Sequence, residues 1–219
     1  AASIFPKALP VVEIAGLVPD TPGEPTPVSA SVVLAAISEA VAATLSGACR
    51  ALVTAPINKA VLYGAGFRYP GHTEYLAALC AGGGTPKQPV MLLASDDLRV
   101  VPLTVHVPLA EVPALVTAEL LASTVKTLEH DLRTRFGIAR RRIGVAGLNP
   151  HAGENGGIGR DELDRLAPAI AELKFGGIDI EGPYPADTLF YPPHWRKFDA
   201  VVAMYHDQAL IPIKTVAFD

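Results

Sequence analysis

The sequence predicts a layered α/β/α protein with a mixed sheet, and three observations carry that reading. Short apolar runs at 90–94, 100–105, 143–148 and 199–204 read as buried strands. Segments with apolar residues at helical spacing stand between them, and strands alternating with helices build a sheet covered on its faces. The link Ser95-Asp-Asp-Leu98 is too short for a crossover. The two strands that it joins therefore form an antiparallel hairpin, and the sheet is not all parallel.

Taken in order, residues 9–15 (LPVVEIA) read as a strand, and 18–28 hold four prolines and read as an exposed loop. Ser29 is placed to cap a helix over 31–47, where Val32, Leu34, Ile37, Val41 and Leu45 recur at helical spacing. Ala51-Leu-Val53 looks like a buried strand that ends in Thr54-Ala-Pro-Ile-Asn-Lys59, with a short helix over 57–64. Gly64, Gly66, Pro70 and Gly71 break the chain before Gly71-His-Thr-Glu74 opens a helix through about Cys80. Residues 81–89 form a loop before the hairpin. A helical region covers 109–136 with a break near Pro113, and helices are expected over 160–174, from Pro185-Ala-Asp-Thr188 and after Gln208. A further strand is placed at 178–182, and there is no internal repeat.

Composition narrows the function. Half of the residues are hydrophobic and 18% charged, which describes a well-cored protein and not a disordered one. A net charge of −4, no basic run and 6% aromatic residues argue against a nucleic-acid partner. Cys49 and Cys80 have no CxxC spacing, so neither a disulfide framework nor a zinc ribbon is indicated and a reducing cytoplasm fits. No unbroken apolar run reaches the length of a membrane span, and AASIFPKALP lacks the basic start and apolar core of a signal peptide. The chain starts without Met and stops at Asp219 after an apolar run, which reads as a piece of something longer.

The chemistry gathers around GLNPHAGENGGIG, residues 147–159. A glycine-rich loop between a strand and a helix is where α/β proteins place their sites. Pro150 fixes its own φ beside His151. His106, His151 and His206 each follow an apolar strand, in PLTVH, GVAGLNPH and VVAMYH. If those strands share a sheet, the three converge at one edge, and neutral imidazoles are common ligands for zinc and other divalent first-row metals. Each histidine also reads as a separate strand-end residue. Asp207 is placed to orient His206, to act as a further ligand or proton acceptor, or simply to cap a helix. Lys59, Lys214 and Arg160 are candidates for an anionic substrate, and His72 and Thr73 open a helix after Gly71, a position suited to anions. Lys214 lies among Ile211, Pro212, Ile213 and Val216, apolar company in which a lysine can serve in proton transfer. Glu154 and Asp164 read as surface or capping residues, His130 as solvent-facing, and His194 is given no role.

VTAPINK (53–59), GHTE (71–74), PLTVHVPL (102–109), GLNPHAGENGGIG, PADT (185–188) and MYHDQ (204–208) together resemble the 4-hydroxythreonine-4-phosphate dehydrogenase family of vitamin B6 synthesis, in the family's order from about residue 51 to 219. The resemblance implies a fold related to isocitrate and isopropylmalate dehydrogenases and a homodimer. It implies that 1–219 is part of one dehydrogenase chain, with two intertwined α/β subdomains and the active site between them. It also implies a divalent metal (zinc, magnesium or cobalt) on His106, His151 and His206, the third given by the partner subunit. By the same match His72, Thr73 and Lys214 contact substrate, and Asp187 and Asp207 are active-site carboxylates. The reaction implied is NAD- or NADP-linked oxidative decarboxylation of 4-phosphooxy-L-threonine to 3-amino-2-oxopropyl phosphate. Two family features are missing here: a Gly-Asp-Pro-Ala-Gly-Ile-Gly loop at the start, and an Asn- and Arg-containing segment after Asp219. The dinucleotide site is therefore not assigned. Competing readings are a paralogue acting on a sugar-acid phosphate or a dihydrodiol carboxylate, a metal hydrolase, and a non-catalytic phosphate-binding module.

Overall fold

The computed structural model describes residues 6–16, 18–19, 21, 23–24 and 26–217. The chain divides into two compact units, Ala1–Pro89 and Val90–Asp219. The expectations that rest on the chain's last residues, and part of the proline-rich loop, lie outside the described residues.

The second unit holds the sheet. Its strands are β1 (Leu93–Ala94), β2 (Arg99–Pro102), β3 (Ile143–Ala146), β4 (Ile180–Tyr184) and β5 (Ala200–Ala203), in the order β1-β2-β5-β3-β4. β1 runs antiparallel to β2, with Leu93 opposite Val100, while the β2–β5, β5–β3 and β3–β4 pairs are all parallel. The expected hairpin and mixed sheet are both present.

Successive strand residues point to opposite faces, and two separate cores show it. On one face Val101, Ile143, Val145, Ile180 and Val202 pack with Leu121, Val125, Leu128 and Leu132 of α5 (Ala118–Thr134) and Ile170 and Leu173 of α6 (Ala167–Phe175). On the other, Val100, Ala146, Val201 and Ala203 meet Leu189 of α7 (Ala186–Leu189), Trp195 of α8 (Pro192–Trp195), and Ala209 and Ile213 of α9 (His206–Val216). The architecture is α/β/α. Gly144 is needed where β3 crosses Phe198, because a Cβ there would lie 2.8 Å from the ring. Leu121 is fully buried, so Leu121→Ala should cost about 2–5 kcal/mol in denaturant unfolding of the complete protein.

The Pro113 break is displaced. Pro113 stands in the first turn of α4 (Val112–Leu115), where a missing N–H is harmless. The interruption falls instead at Val116-Thr117, and the Thr117 hydroxyl accepts from the Leu120 amide at 3.1 Å to start α5. α9 is longer than the short helix expected, running on through Pro212 to Val216.

Tyr184, at the end of β4, donates to Glu181 at 2.7 Å. Burial first, then that carboxylate, pushes its pKa up to about 12 from an ordinary 10.0. A raised folded pKa gives stability that is whole below the unfolded value and is lost as pH rises through the folded one. Stability should therefore fall across pH 10.0 to about 12, and Tyr184→Phe should remove that part of the loss in a pH series of urea melts.

The first unit is built of α1 (Ala30–Leu45), α2 (Lys59–Gly64) and α3 (His72–Cys80) around Ala30, Leu62 and Phe67, with Tyr69 and Tyr75 against them. Phe67 meets Tyr75 edge-on at 5.2 Å between ring centres. The Ser29 hydroxyl does not cap α1; it donates back to the Thr26 carbonyl at 2.8 Å from a short 3-10 turn. Two expected strands are absent. Residues 9–15 and 51–53 take no regular structure, and Val53 is 94% exposed. A strand exists through a partner that takes up its backbone groups, and no ladder reaches either segment among the described residues.

The stretch Pro27–Leu45 passes the length and composition test for a membrane span, with a mean hydropathy of 1.8. The sequence reading found no unbroken apolar run of that length, but the alanines and valines of this stretch keep its average high. Glu39 stands mid-helix, where a carboxylate would cost on the order of 3 kcal/mol at a bilayer centre. Within α1 only Ala30, Ile37 and Val41 are buried.

Candidate active site at the carboxyl edge of the sheet

β2, β5 and β3 are adjacent and parallel, so the segments after them leave from one edge. That edge is where open α/β sheets bind ligands. The pairing of β2 with β5 continues past the strand ends. The Leu103 amide donates to the Ala203 carbonyl at 2.8 Å, and the buried Thr104 hydroxyl donates to the Met204 carbonyl at 2.8 Å. These bonds carry the two following segments side by side, and the His106 and His206 rings stand 5.6 Å apart between centres.

His206 opens α9, with its Nδ1 2.7 Å from the Asp207 carboxylate. A carboxylate only accepts, so Nδ1–H donates and the Nε2 lone pair is left for an electrophile. Beside the pair lies a cavity of about 290 Å³ lined by Thr104, His106, Val107, Leu109, Val112, Tyr205, His206 and Asp207. Lys214 is exposed two turns along α9 and shares a shallow groove with His206 and Asp207. This is the face that i, i+4, i+8 spacing assembles.

His151 leaves the end of β3 in an unusual turn. His151, Ala152, Gly153, Glu154 and Asn155 have φ between 44° and 78°, a left-handed run in which only one residue is glycine. His106 has φ 51° as well. Left-handed backbone costs about 1–2 kcal/mol per non-glycine residue, and such outliers cluster at functional sites. Asp187 lies in the first turn of α7, which packs beside this turn and β3, and its side chain is exposed.

His106 and His206 are thus brought together beside Asp207, with Lys214 farther along the groove that His206 and Asp207 line. Among the described residues no three His, Cys, Asp or Glu side chains gather closely enough to hold a metal ion, so His151 does not complete a three-ligand group with the pair within one chain. The donors present suit a divalent metal: two imidazoles, one oriented by a carboxylate, beside an open cavity.

In the first unit, His72 begins α3 with its Nε2 buried and without a hydrogen-bond partner, and Thr73 is exposed. Lys59 donates to the Pro70 carbonyl at 3.2 Å and Tyr63 to the same oxygen at 2.8 Å. A Cβ on Gly71 would meet Glu74 at 2.9 Å and Lys59 at 3.4 Å, so Lys59 stands at the amino end of α3. Arg160 is committed elsewhere: its guanidinium grips Asp164 through two bonds of 3.1 and 2.8 Å, which raises its pKa.

Two residues without a role in the sequence reading hold this edge together. Gln208 accepts from the Met204 amide at 2.6 Å and donates to the Gly147 carbonyl at 3.0 Å, joining β5 to the start of the His151 loop. Glu162 is buried and accepts from the Leu148 and Asn149 amides. The signal for Gln208 was its place in MYHDQ. Glu162 gave little signal, since an acidic residue early in a helix reads as a cap.

Parallel strands that gather imidazoles, a carboxylate and a lysine at their carboxyl edge define an α/β protein with an enzyme-like site. The chain belongs to the family described as pyridoxal phosphate biosynthetic protein PdxA, whose pattern matches residues 1–219. It is 53% identical over 219 residues to a 4-hydroxythreonine-4-phosphate dehydrogenase of Bradyrhizobium diazoefficiens, covering 100% of this chain and 64% of the relative. A Caulobacter vibrioides protein of the same name is 48% identical over 220 residues, with 100% and 66% covered. The chain thus spans just under two thirds of the length of these relatives. Among solved structures, a 4-hydroxythreonine-4-phosphate dehydrogenase from Klebsiella pneumoniae superposes with a TM-score of 0.84 at 40% identity, over 90% of this chain and 58% of that one. A terephthalate 1,2-cis-dihydrodiol dehydrogenase from Burkholderia xenovorans gives 0.72 at 32% identity, over 96% and 66%. The fold is that of the isocitrate and isopropylmalate dehydrogenases, as the resemblance implied.

Proposed function

We propose that the complete protein oxidises and decarboxylates 4-phosphooxy-L-threonine to 3-amino-2-oxopropyl phosphate, with NAD or NADP, in cytoplasmic vitamin B6 synthesis. The observation that carries this is the match of the whole chain, at 53% identity, to a relative named for that substrate. His106, His151 and His206 are the residues that would hold a divalent metal, with His206 contributed across a homodimer. Bound there, the ion supplies Lewis-acid polarisation at the substrate's oxygen.

The chain's own residues move protons and orient the substrate. The secondary hydroxyl gives its proton to a base and its carbon-bound hydrogen, as hydride, to the nicotinamide. The β-keto acid formed then loses CO2, and the electron pair left behind takes up a proton. Asp207 and Lys214 are the candidate proton carriers, placed on one face of α9 with His206. Asp207 also fixes the His206 tautomer. Asp187 is a further active-site carboxylate beside the His151 turn, and His72 and Thr73 contact substrate from the amino end of α3. The cofactor carries the hydride, and the protein supplies orientation and electrostatics.

The test is formation of reduced nicotinamide by the complete protein with 4-phosphooxy-L-threonine, with and without a chelator. Chelator-sensitive turnover is expected. A second reading, a dihydrodiol carboxylate substrate, is favoured by the 0.72 superposition on the terephthalate dihydrodiol dehydrogenase. Turnover of a phosphate-free dihydrodiol by folded, metal-loaded protein, with none of the phosphorylated substrate, would replace the first reading with the second.

A further inference from the structure

We propose that Glu162 is the positioning residue for His151. Its buried carboxylate holds the left-handed turn that carries the imidazole, and metal affinity depends on that hold. The inference rests on the reading of His151 as a metal ligand.

Glu162 is 3% exposed, and a carboxylate that deep is retained only where its oxygens are satisfied. Its Oε1 accepts from two successive amides, Leu148 at 2.8 Å and Asn149 at 2.7 Å. Its Oε2 accepts from the Asn149 side-chain amide at 3.0 Å. The same Oε2 would stand 2.6 Å from a Cβ on Gly153, so the turn closes directly onto it. One carboxylate thus reaches both the entry of the turn and its middle, and His151 lies between those points.

The hold extends outward. Asn149 also donates to Asp161 at 2.9 Å, Asp161 pairs with Arg165, and Arg165 donates to the carbonyls of Pro113 at 2.6 Å and Val116 at 3.0 Å. Those carbonyls belong to α4 and the residue after it, downstream of the segment that carries His106. One carboxylate–guanidinium network therefore joins the His151 turn to α4, the helix that follows the His106 segment. A wider π-type turn over Glu162–Leu166 roots it, a feature frequent at functional sites.

An ordinary turn would not need such a hold. This one keeps five successive residues at positive φ, a state that persists only where its surroundings impose it. The three donors that converge on Glu162 also require an acceptor at each oxygen. In Glu162→Gln the new amide turns a donor against one of them.

The experiment uses Glu162→Gln in the complete protein, with two readouts. One is hydrogen exchange at the Leu148 and Asn149 amides without metal. The other is Co²⁺ titration followed by its visible absorption. Faster exchange at those two amides is expected, together with a 10- to 100-fold weaker Co²⁺ affinity, roughly the loss seen when a ligand's outer partner is removed. Asn149→Ala keeps both backbone bonds and should weaken Co²⁺ only several-fold; it carries the test if Glu162→Gln does not fold. Faster exchange with unchanged Co²⁺ affinity would reduce Glu162 to a structural residue and overturn the proposal. Unchanged exchange would overturn it too. A wild-type protein that takes up no Co²⁺ would bring down the metal reading and this inference with it; the exchange readout, which needs no metal, separates that outcome from failure of the hold alone.

Discussion

Replacing His151 by alanine in the complete protein should abolish metal uptake and lower turnover by about a thousandfold or more, several kcal/mol of transition-state stabilisation. The fold should survive. His151 is exposed and fills no core, and its φ of 53° is matched by 51° at neighbouring Ala152, so an alanine already tolerates this backbone in the same turn. The substitution therefore removes an imidazole and little else. Metal content by elemental analysis, reduced-nicotinamide formation and thermal unfolding should be measured on the same preparation. Lost metal and lost turnover with an unchanged melting temperature is the expected result. A His151→Ala protein that keeps both its metal and its activity would sink the metal assignment.

The sheet was legible because its signals were local. Apolar runs such as Ile143–Ala146 and Ala200–Ala203, and a link too short to cross over, specify strands and a hairpin without knowledge of the rest of the chain. That His106 and His206 meet at one sheet edge followed from the same patterns, since each trails a strand; His151 trails one too but does not join them in a three-ligand group within the described chain. What was not legible depends on partners distant in sequence. Residues 9–15 and 51–53 have strand-like composition, but pairing and not composition makes a strand, and the described residues offer them none. Glu162 is bonded to amides 13 and 14 positions upstream, a relation that no periodicity announces. The left-handed turn was hidden for a further reason. Positive φ is expected of its glycines alone, yet His151, Ala152, Glu154 and Asn155 adopt it as well. Packing against Glu162 imposes that conformation, and the residue types there would not choose it.

If the proposed homodimer shares its metal sites, mixing inactive subunits should show which histidine crosses between chains. Within one chain His106 and His206 stand together, and His151 does not join them in a three-ligand group, whereas the family resemblance implies that His206 is given to the partner's site. The two arrangements differ in which pairs of defects can be rescued. If His206 crosses, a dimer of one His106→Ala and one His206→Ala subunit keeps one complete site: the His206→Ala subunit supplies His106 and His151, and its partner supplies His206. Random reassociation makes about half of the dimers mixed, each with one of two sites intact, so activity should return to about a quarter of wild type. A mixture of His106→Ala with His151→Ala should stay inactive, because those two ligands then come from the same chain. If the adjacent His106–His206 pair is itself the metal-binding unit and His151 crosses, the outcomes exchange: the second mixture revives and the first stays dead. If all three ligands come from one chain, neither mixture revives. We expect rescue in the first mixture alone. Rescue confined to the second would move the shared ligand from α9 to the left-handed turn after β3, and would make the pairing within one chain the pairing that works.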